Sequence, residues 1–161
     1  MLPRLRGEDV EISKKTDYAL RMLMCLVTNP GRIVSARAAA EENGVPYSFA
    51  RAIQHDLASH GIVESIRGAH GGMRLAIDPH ETPLLDIIEA VQGPVEIATC
   101  VISEEEGEPC PRKDTCPFNP IWCTAERMLR DYLASVSLYD VVMNGLSPDV
   151  GTAFGLTPTG R

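Results

Sequence analysis

The sequence lacks any apolar run long enough to cross a membrane. Its densest run, MLMCLV at residues 22–27, is far shorter than the roughly 20 residues that a spanning helix needs. The first residues, MLPRLRGEDVEISKK, lack the apolar stretch of a signal peptide. The chain also lacks a phosphate-binding loop and a G-x-S-x-G motif. We therefore expect a cytoplasmic protein without a membrane partner, in which thiols stay reduced, and we expect no enzyme.

The charge is unevenly distributed along the chain, whose net charge is −7. Residues 10–77 carry a net charge of +2, whereas residues 78–161 carry −9. A basic first half is where a polyanion would bind, and an ordinary charged surface is the competing interpretation.

Apolar periodicity in the first half predicts three helices and a hairpin. The helices cover residues 16–27, 36–42 and 47–60, and the third places Phe49, Ala50, Ile53 and Leu57 on one stripe. The runs IVESIRG and MRLAI, joined by AHGG, then have the pattern of a β-hairpin. This order is that of a winged helix-turn-helix, a mainly α fold with a small hairpin wing.

In a winged helix the third helix enters the major groove of DNA, and the hairpin lies along the backbone or in the minor groove. The candidate contacts on the helix are Tyr47, Ser48, Arg51, Gln54 and His55. A solvated helix face is the alternative interpretation for each of them. The hairpin tip adds Arg67, which can reach outward beside a glycine, and His70.

The second half contains a helix at about residues 83–92 and helical spacing from 119 to 143. The later apolar stripe is longer than this domain needs, which favours packing against a second subunit over packing on its own domain. We expect a DNA-binding domain at 10–79 and a cysteine loop with a long dimerisation helix at 80–146. The segments 1–9 and 147–161 are expected to be flexible tails.

Four of the five cysteines lie close together, at Cys100, Cys110, Cys116 and Cys123. Zinc sites usually contain C-x2-4-C pairs, and none is present here. Wide spacing in a proline-bearing loop favours an iron–sulfur cluster, with zinc and reactive or incidental thiols as the alternatives. The fifth, Cys25, lies on the apolar face of the first helix and is predicted to be a buried small hydrophobe.

The segments KKTDYALRMLM, GVPYSFARAI and GIVESIRGAHGGMRLA, together with the cysteine loop, resemble the iron–sulfur winged-helix regulators of the Rrf2 type, which include IscR, NsrR and RirA. The resemblance covers about residues 10–142 and is greatest to NsrR-like and RirA-like members. It implies a homodimeric transcriptional repressor that binds a palindromic double-stranded DNA operator. It also implies a cluster, with 4Fe-4S favoured over 2Fe-2S.

The resemblance matches Cys100, Cys110 and Cys116 to the three cluster cysteines. IscR-like members take a fourth ligand from a histidine where this chain has Asn119, a poor ligand. NsrR-like members take it from an aspartate of the other subunit, and Asp17 occupies that place. Asp17 is favoured over Cys123, with an exposed carboxylate stabilised by the helix dipole as the remaining interpretation.

The resemblance leaves the signal open between nitric oxide and iron or redox status. KTDYALR and GVPYS are similar to NsrR-type nitric-oxide sensors, and RMLM and the first cysteine gap to RirA-type iron sensors. Such members begin near the place of Val10, so residues 1–9 are either an extension or the result of an upstream start assignment. A cluster-free winged-helix repressor with a thiol switch or a zinc staple is the alternative function.

Overall fold

A computed structural model describes residues 12–98 and 110–145 of the 161-residue chain. The predicted tails, 1–9 and 147–161, lie outside these residues, as does Cys100. In the described part, six helices and a two-stranded sheet agree with the expected mainly α fold. The elements are α1 (Lys14–Val27), α2 (Ala36–Glu42), α3 (Tyr47–Ser59), β1 (Val63–Ile66), β2 (Gly72–Leu75), α4 (Leu84–Gln92), α5 (Asn119–Ser135) and α6 (Leu138–Asn144).

Helix α1 is the centre of the core and contacts α2, α3, α4 and α6. Its apolar stripe is buried because Met22, Leu23 and Leu26 recur at helical spacing on the side that faces α3 and α4. Ser13 begins the helix, and its hydroxyl accepts a hydrogen bond from the Thr16 backbone N–H at 3.1 Å. The same core includes residues of α4 and α6, so the predicted boundary at residue 79 stays a prediction.

The helix-turn-helix consists of α2 and α3. Ser35 caps α2 by accepting from the Ala38 N–H at 3.1 Å, and Gly44 makes the turn to α3 at a φ of +65°. Phe49 differs from its predicted place on the buried stripe of α3. It is 48% exposed and lies edge-on against Tyr18, with 5.6 Å between the ring centroids. The core contacts of α3 are made by Ala50, Ile53 and Leu57 instead.

The wing is an antiparallel pair in which Val63 pairs with Leu75 and Ile66 with Gly72. Val34, just before α2, also bridges to Met73, which fixes the hairpin to the helix-turn-helix. A side chain at Gly72 would collide with the Val34 carbonyl group. Glycine is therefore required where these two backbones approach each other.

The helical spacing predicted from 119 to 143 is divided into α5 and α6. Val136 has an extended backbone, and its carbonyl accepts from the Leu84 N–H at 2.8 Å. The next residue, Ser137, caps α6 through the Asp140 N–H at 3.1 Å. The break therefore arises from bonds to the start of α4, and α6 turns back to bury Leu138 in the main core.

No helix in the described ranges is long and apolar enough to span a membrane.

Candidate nucleic-acid interface and metal centre

The candidate DNA-reading face is the exposed side of α3. Ala50, Ile53 and Leu57 are buried against the core, which leaves the opposite side of the helix in solvent. The candidates on that side with exposed side chains are Tyr47, Ser48, Arg51 and His55. The side chains can therefore reach a ligand without any movement of the helix.

Gln54 differs from the other candidates on α3 because its amide is already bonded. It is partly buried, and its Nε2 donates to the Gly72 carbonyl oxygen at 3.2 Å and to the Ser65 hydroxyl at 3.3 Å. The side chain thus connects the third helix to both strands of the wing. The expectation that Gln54 contacts DNA stays a prediction. Its side-chain NH2 group already donates hydrogen bonds within the protein.

The tip of the wing exposes Arg67 and His70. The turn between the strands is closed by a hydrogen bond from the Gly71 N–H to the Gly68 carbonyl at 3.0 Å, and Gly68 has a φ of +118°. Within the described residues no carboxylate forms an ion pair with Arg67 or Arg51. Both guanidinium groups can therefore bind a polyanion without first breaking an ion pair to a described residue.

An ion pair joins the last turn of the reading helix α3 to the first turn of α1. The Lys15 ammonium lies 2.6 Å from the Asp56 carboxylate. Two residues along α1, Asp17 forms an ion pair with Arg21 at 3.0 Å, and its side chain is 44% exposed. Asp17 is thus accessible to a second subunit while its charge is partly balanced within its own helix.

The described cysteines of the loop are half-buried thiols. Cys110 and Cys116 lie in successive turns, where the Lys113 N–H donates to the Cys110 carbonyl and the Cys116 N–H to the Arg112 carbonyl. Cys123 lies on α5, and its thiol donates to the Asn119 side-chain oxygen at 3.6 Å. In residues 12–98 and 110–145, no three metal-ligating side chains form one group.

These thiols fit part of the ligand set of an iron–sulfur cluster, whose natural ligand is a thiolate. Cys110 and Cys116 supply two suitable sulfur atoms. Cys123 is a further thiol within the described residues, and other donors would come from outside them, where Cys100 lies, or from a second subunit. The described part of one chain does not complete the site alone.

The segment that leads toward Cys100 is fixed to two helices. Glu89 of α4 accepts from the Val95 N–H, and Glu126 of α5 accepts from the Ile97 N–H, both at 3.1 Å. Arg130 of α5 forms a two-pronged ion pair with Glu89. This hydrogen bond to Glu89 raises the pKa of Arg130 above its ordinary value. The approach to the cysteine loop is therefore held between α4 and α5.

Cys25 is buried, as predicted, with 3% of its surface exposed. Its thiol donates a hydrogen bond to Glu42 at 3.0 Å. Burial, together with this hydrogen bond and the nearby negative charge, raises the pKa of Cys25 to about 11. The thiol is therefore protonated near neutral pH and is a poor nucleophile.

Helix α5 has no fully buried residue. Its outer side contains an apolar groove lined by Pro120, Ile121, Thr124, Ala125 and Met128. Phe118 and Trp122, at the start of the helix, are 60% and 41% exposed. Among the described residues, only the inner side of α5 contacts its own domain, so this face is open to a partner.

The family of the chain follows from a comparison with protein-family models. The Rrf2 model, described as an iron-dependent transcriptional regulator, matches residues 12–144. The chain belongs to the Rrf2 family. Rrf2 proteins are transcriptional regulators and not enzymes, so the expectation of a non-enzyme is confirmed, and the resemblance stated from the sequence is confirmed as well.

Three similar proteins illustrate the extent of the Rrf2 match. Protein aau3 of Rhizobium meliloti is 30% identical over 148 residues, which is 91% of this chain and 93% of that protein. The transcriptional regulator NsrR of Shouchella clausii is 28% identical over 127 residues, 78% of this chain and 79% of NsrR. The solved structure of CymR, the global cysteine regulator of B. subtilis, matches with a TM-score of 0.65 at 27% identity, over 83% of this chain and 97% of CymR.

Two residues of this Rrf2 protein that the sequence did not single out make contacts between different elements. Arg37 of α2 lies over the ring of Tyr47, 4.5 Å from its centroid. Gln92, the last residue of α4, accepts hydrogen bonds from the Ser13 N–H at 3.0 Å and the Thr16 hydroxyl at 2.7 Å. No local pattern marks either residue, because each acts through a partner on another element.

Proposed function

We propose that this Rrf2-family regulator is an iron–sulfur-cluster-dependent repressor that binds a palindromic operator as a homodimer and senses nitric oxide or iron and redox status. The observation that carries the proposal is the placement of Cys110 and Cys116. Both are half-buried thiols in the turns before α5, and the chain that leads toward Cys100 is hydrogen-bonded to Glu89 of α4 and to Glu126 of α5.

The DNA-binding part of the proposal is supported by exposure and charge. The exposed side of α3 presents Arg51 and His55, and the wing presents Arg67 and His70. A recognition helix in the major groove and a wing on the backbone would use both surfaces together. Two such heads in a dimer would read the two halves of a palindrome.

The homodimer is supported by α5. The helix buries none of its own residues completely, and its outer groove is apolar. A second copy of the same helix would cover this groove by a self-complementary contact, as two-fold symmetric dimers do. The proposal makes α5 the dimerisation helix.

The cluster would be held by Cys100, Cys110 and Cys116 of one chain and by Asp17 of the other, with Cys123 as the alternative fourth ligand. An iron–sulfur cluster supplies redox-active iron that nitric oxide attacks directly and that iron scarcity removes. A carboxylate is a weaker ligand for iron than a thiolate is, which suits a sensor. The Asp17 side chain is 44% exposed, so a partner could reach its carboxylate in exchange for the ion pair with Arg21.

Contacts within one chain connect the end of α4 to the DNA-reading helix α3. Gln92 joins the end of α4 to the first turn of α1, where Thr16 is fully buried. Lys15, in the same turn, pairs with Asp56 of the reading helix α3. We infer that a displacement of the cysteine loop that moves the end of α4 would pass through these contacts to the first turn of α1 and to the reading helix.

A thiol switch without a cluster is the second candidate, and the similarity to CymR, a cysteine regulator, favours it. Cys25 is unsuited to this role because its pKa is raised to about 11. A switch would use Cys100, which lies outside the described residues, or the half-buried Cys110, Cys116 or Cys123. Such a protein would contain accessible thiols and no iron.

Anaerobic purification of the full chain tests the proposal. We expect a coloured protein that contains iron and sulfide, and we expect it to release DNA on stepwise addition of nitric oxide or on chelation of iron. Bleaching by nitric oxide identifies a nitric-oxide sensor, and loss of colour only with a chelator identifies an iron sensor. A colourless protein that contains zinc, or no metal even after anaerobic reconstitution, would refute the cluster.

A further inference from the structure

Arg37 and Tyr47 form a stacked pair at the junction of the helix-turn-helix. The guanidinium carbon of Arg37 lies 4.5 Å from the centroid of the Tyr47 ring. This distance is within the range in which a cation is attracted to the face of an aromatic ring. The pair connects the first turn of α2 to the first residue of α3.

The backbone around Arg37 is fixed. Ala36, Ala39 and Ala40 pack α2 into the core, and the Ser35 hydroxyl caps its first turn. Arg37 therefore projects from the exposed side of a short, anchored helix. The contact with the Tyr47 ring further restricts the positions that its guanidinium group occupies before a ligand binds.

The charge of Arg37 remains available for a ligand. Its only ion pair among the described residues is with Glu41 at 3.9 Å, and both side chains are more than half exposed, at 65% and 71%. Exposed pairs of this length bind weakly because water screens them. A phosphate, whose oxygens match the planar donor fork of arginine, can displace Glu41.

In a helix-turn-helix the first helix crosses the DNA backbone, and the start of the second reaches the bases. Arg37 lies on the first of these helices and touches the start of the second. We propose that Arg37 binds a backbone phosphate of duplex DNA and that Tyr47 positions it instead of reading a base. This inference rests on the proposed DNA-binding function and assigns Tyr47 a role different from the expected base contact.

The test uses the full-length protein and a random-sequence DNA duplex, because phosphate contacts do not depend on sequence. Dissociation constants are measured by fluorescence anisotropy across a salt series. For Arg37→Ala we expect weaker binding. The dissociation constant should also depend less steeply on salt, with a slope of log Kd against log salt concentration that is smaller by about 1 for each chain bound. Arg127→Ala, an exposed arginine on α5, is the charge-matched control and should leave the slope unchanged.

Variants of Tyr47 separate positioning from base reading. Tyr47→Phe keeps the ring and should bind as the unmodified protein does. Tyr47→Ala should weaken binding. The double variant Arg37→Ala/Tyr47→Ala should bind no more weakly than Arg37→Ala alone, because both substitutions remove the same phosphate contact. Selection of preferred duplexes from a random pool should yield the same sequence with Tyr47→Ala as with the unmodified protein.

Two results would overturn the inference. One is an unchanged salt slope for Arg37→Ala, and the other is a changed base preference at one operator position for Tyr47→Ala. Both leave the proposed function intact, because the unmodified protein still binds DNA. If the unmodified protein binds no duplex at any salt concentration, the proposed function is wrong, and the inference fails with it.

Discussion

The side-chain amide of Gln54 donates to the Gly72 carbonyl oxygen at 3.2 Å, which joins the middle of the reading helix to the wing. A second bond from the same nitrogen reaches Ser65 of the other strand at 3.3 Å. The angle between α3 and the wing thus depends in part on this polar side chain, together with the Val34–Met73 bridge. A protein that contacts DNA with both α3 and the wing depends on that angle.

Gln54→Ala should weaken DNA binding severalfold and by a similar factor for all operator variants, because it loosens the wing without removing a base contact. Stability should fall by about 1 kcal/mol, which is typical for the net contribution of one intramolecular hydrogen bond. His55→Ala is the neighbouring comparison: His55 is exposed, does not hold the wing and is itself a candidate DNA contact, so a loss of affinity there would reflect a lost contact and not a loosened wing. Anisotropy titrations on a panel of single-base operator variants measure the effect, and a loss confined to one base position would make Gln54 a base reader.

Arg67→Ala should weaken operator binding severalfold because Arg67 is exposed at the tip of the wing without a carboxylate partner in the described residues. Arg74→Ala is the matched control. Its guanidinium group is paired with Glu64 on the neighbouring strand at 2.7 Å, so it should contribute little to DNA binding. An electrophoretic shift assay compares the two variants, and equal affinities would remove the wing tip from the interface.

Asp17→Ala should leave the cluster labile or absent, whereas Cys123→Ala should retain it. Arg21→Ala provides the control, because it breaks the same 3.0 Å ion pair but keeps the carboxylate. Visible absorbance and iron content after anaerobic purification measure the cluster in each variant. The reverse order of effects would indicate a site with four cysteines, and equal loss with Arg21→Ala would assign Asp17 a structural role.

Ile121→Glu should convert a dimer into a monomer, because it places a charge in the apolar groove of α5. Ala134→Glu introduces the same charge on the same helix at an exposed position that does not line the groove. Sedimentation velocity at micromolar concentration measures the mass of both variants. A monomeric unmodified protein would contradict the dimer, and a dimeric Ile121→Glu variant would place the interface elsewhere.

Cys25 should react with iodoacetamide far more slowly than Cys123 in the metal-free protein at about pH 8, because the reactive form is the thiolate. Its rate should rise as the pH approaches its pKa of about 11. Glu42→Gln removes the negative charge and should accelerate the reaction at a given pH. Peptide mapping by mass spectrometry resolves the two sites, and equal rates would show that Cys25 is not shielded.

The same shift affects stability, since the folded-state pKa of Cys25 lies above the reference value of 9.0. Its contribution is complete below that value and is lost as the pH rises toward about 11, because the unfolded chain releases the proton first. Urea unfolding between these pH values should detect a decrease that Cys25→Ala does not show.

Local sequence patterns located most elements to within two residues, including α2, whose bounds match the prediction. The reason is physical, since a stripe of apolar residues at helical spacing can be buried only as a helix on a core. Where burial depends on distant neighbours, the pattern was insufficient. Phe49 continued the apolar stripe of α3 but lies edge-on to Tyr18 at the surface.

By itself the sequence determined the class of fold, the wing with its glycines, and the set of polar and cysteine residues from which a reading face and a metal site can be built. Only the tertiary structure decided how these residues are used. Gln54 holds the wing, Arg37 stacks on Tyr47, and the helical pattern stops at Val136. Each outcome depends on a partner distant in sequence, because hydrogen bonds and ring contacts form between elements that only the folded chain brings together.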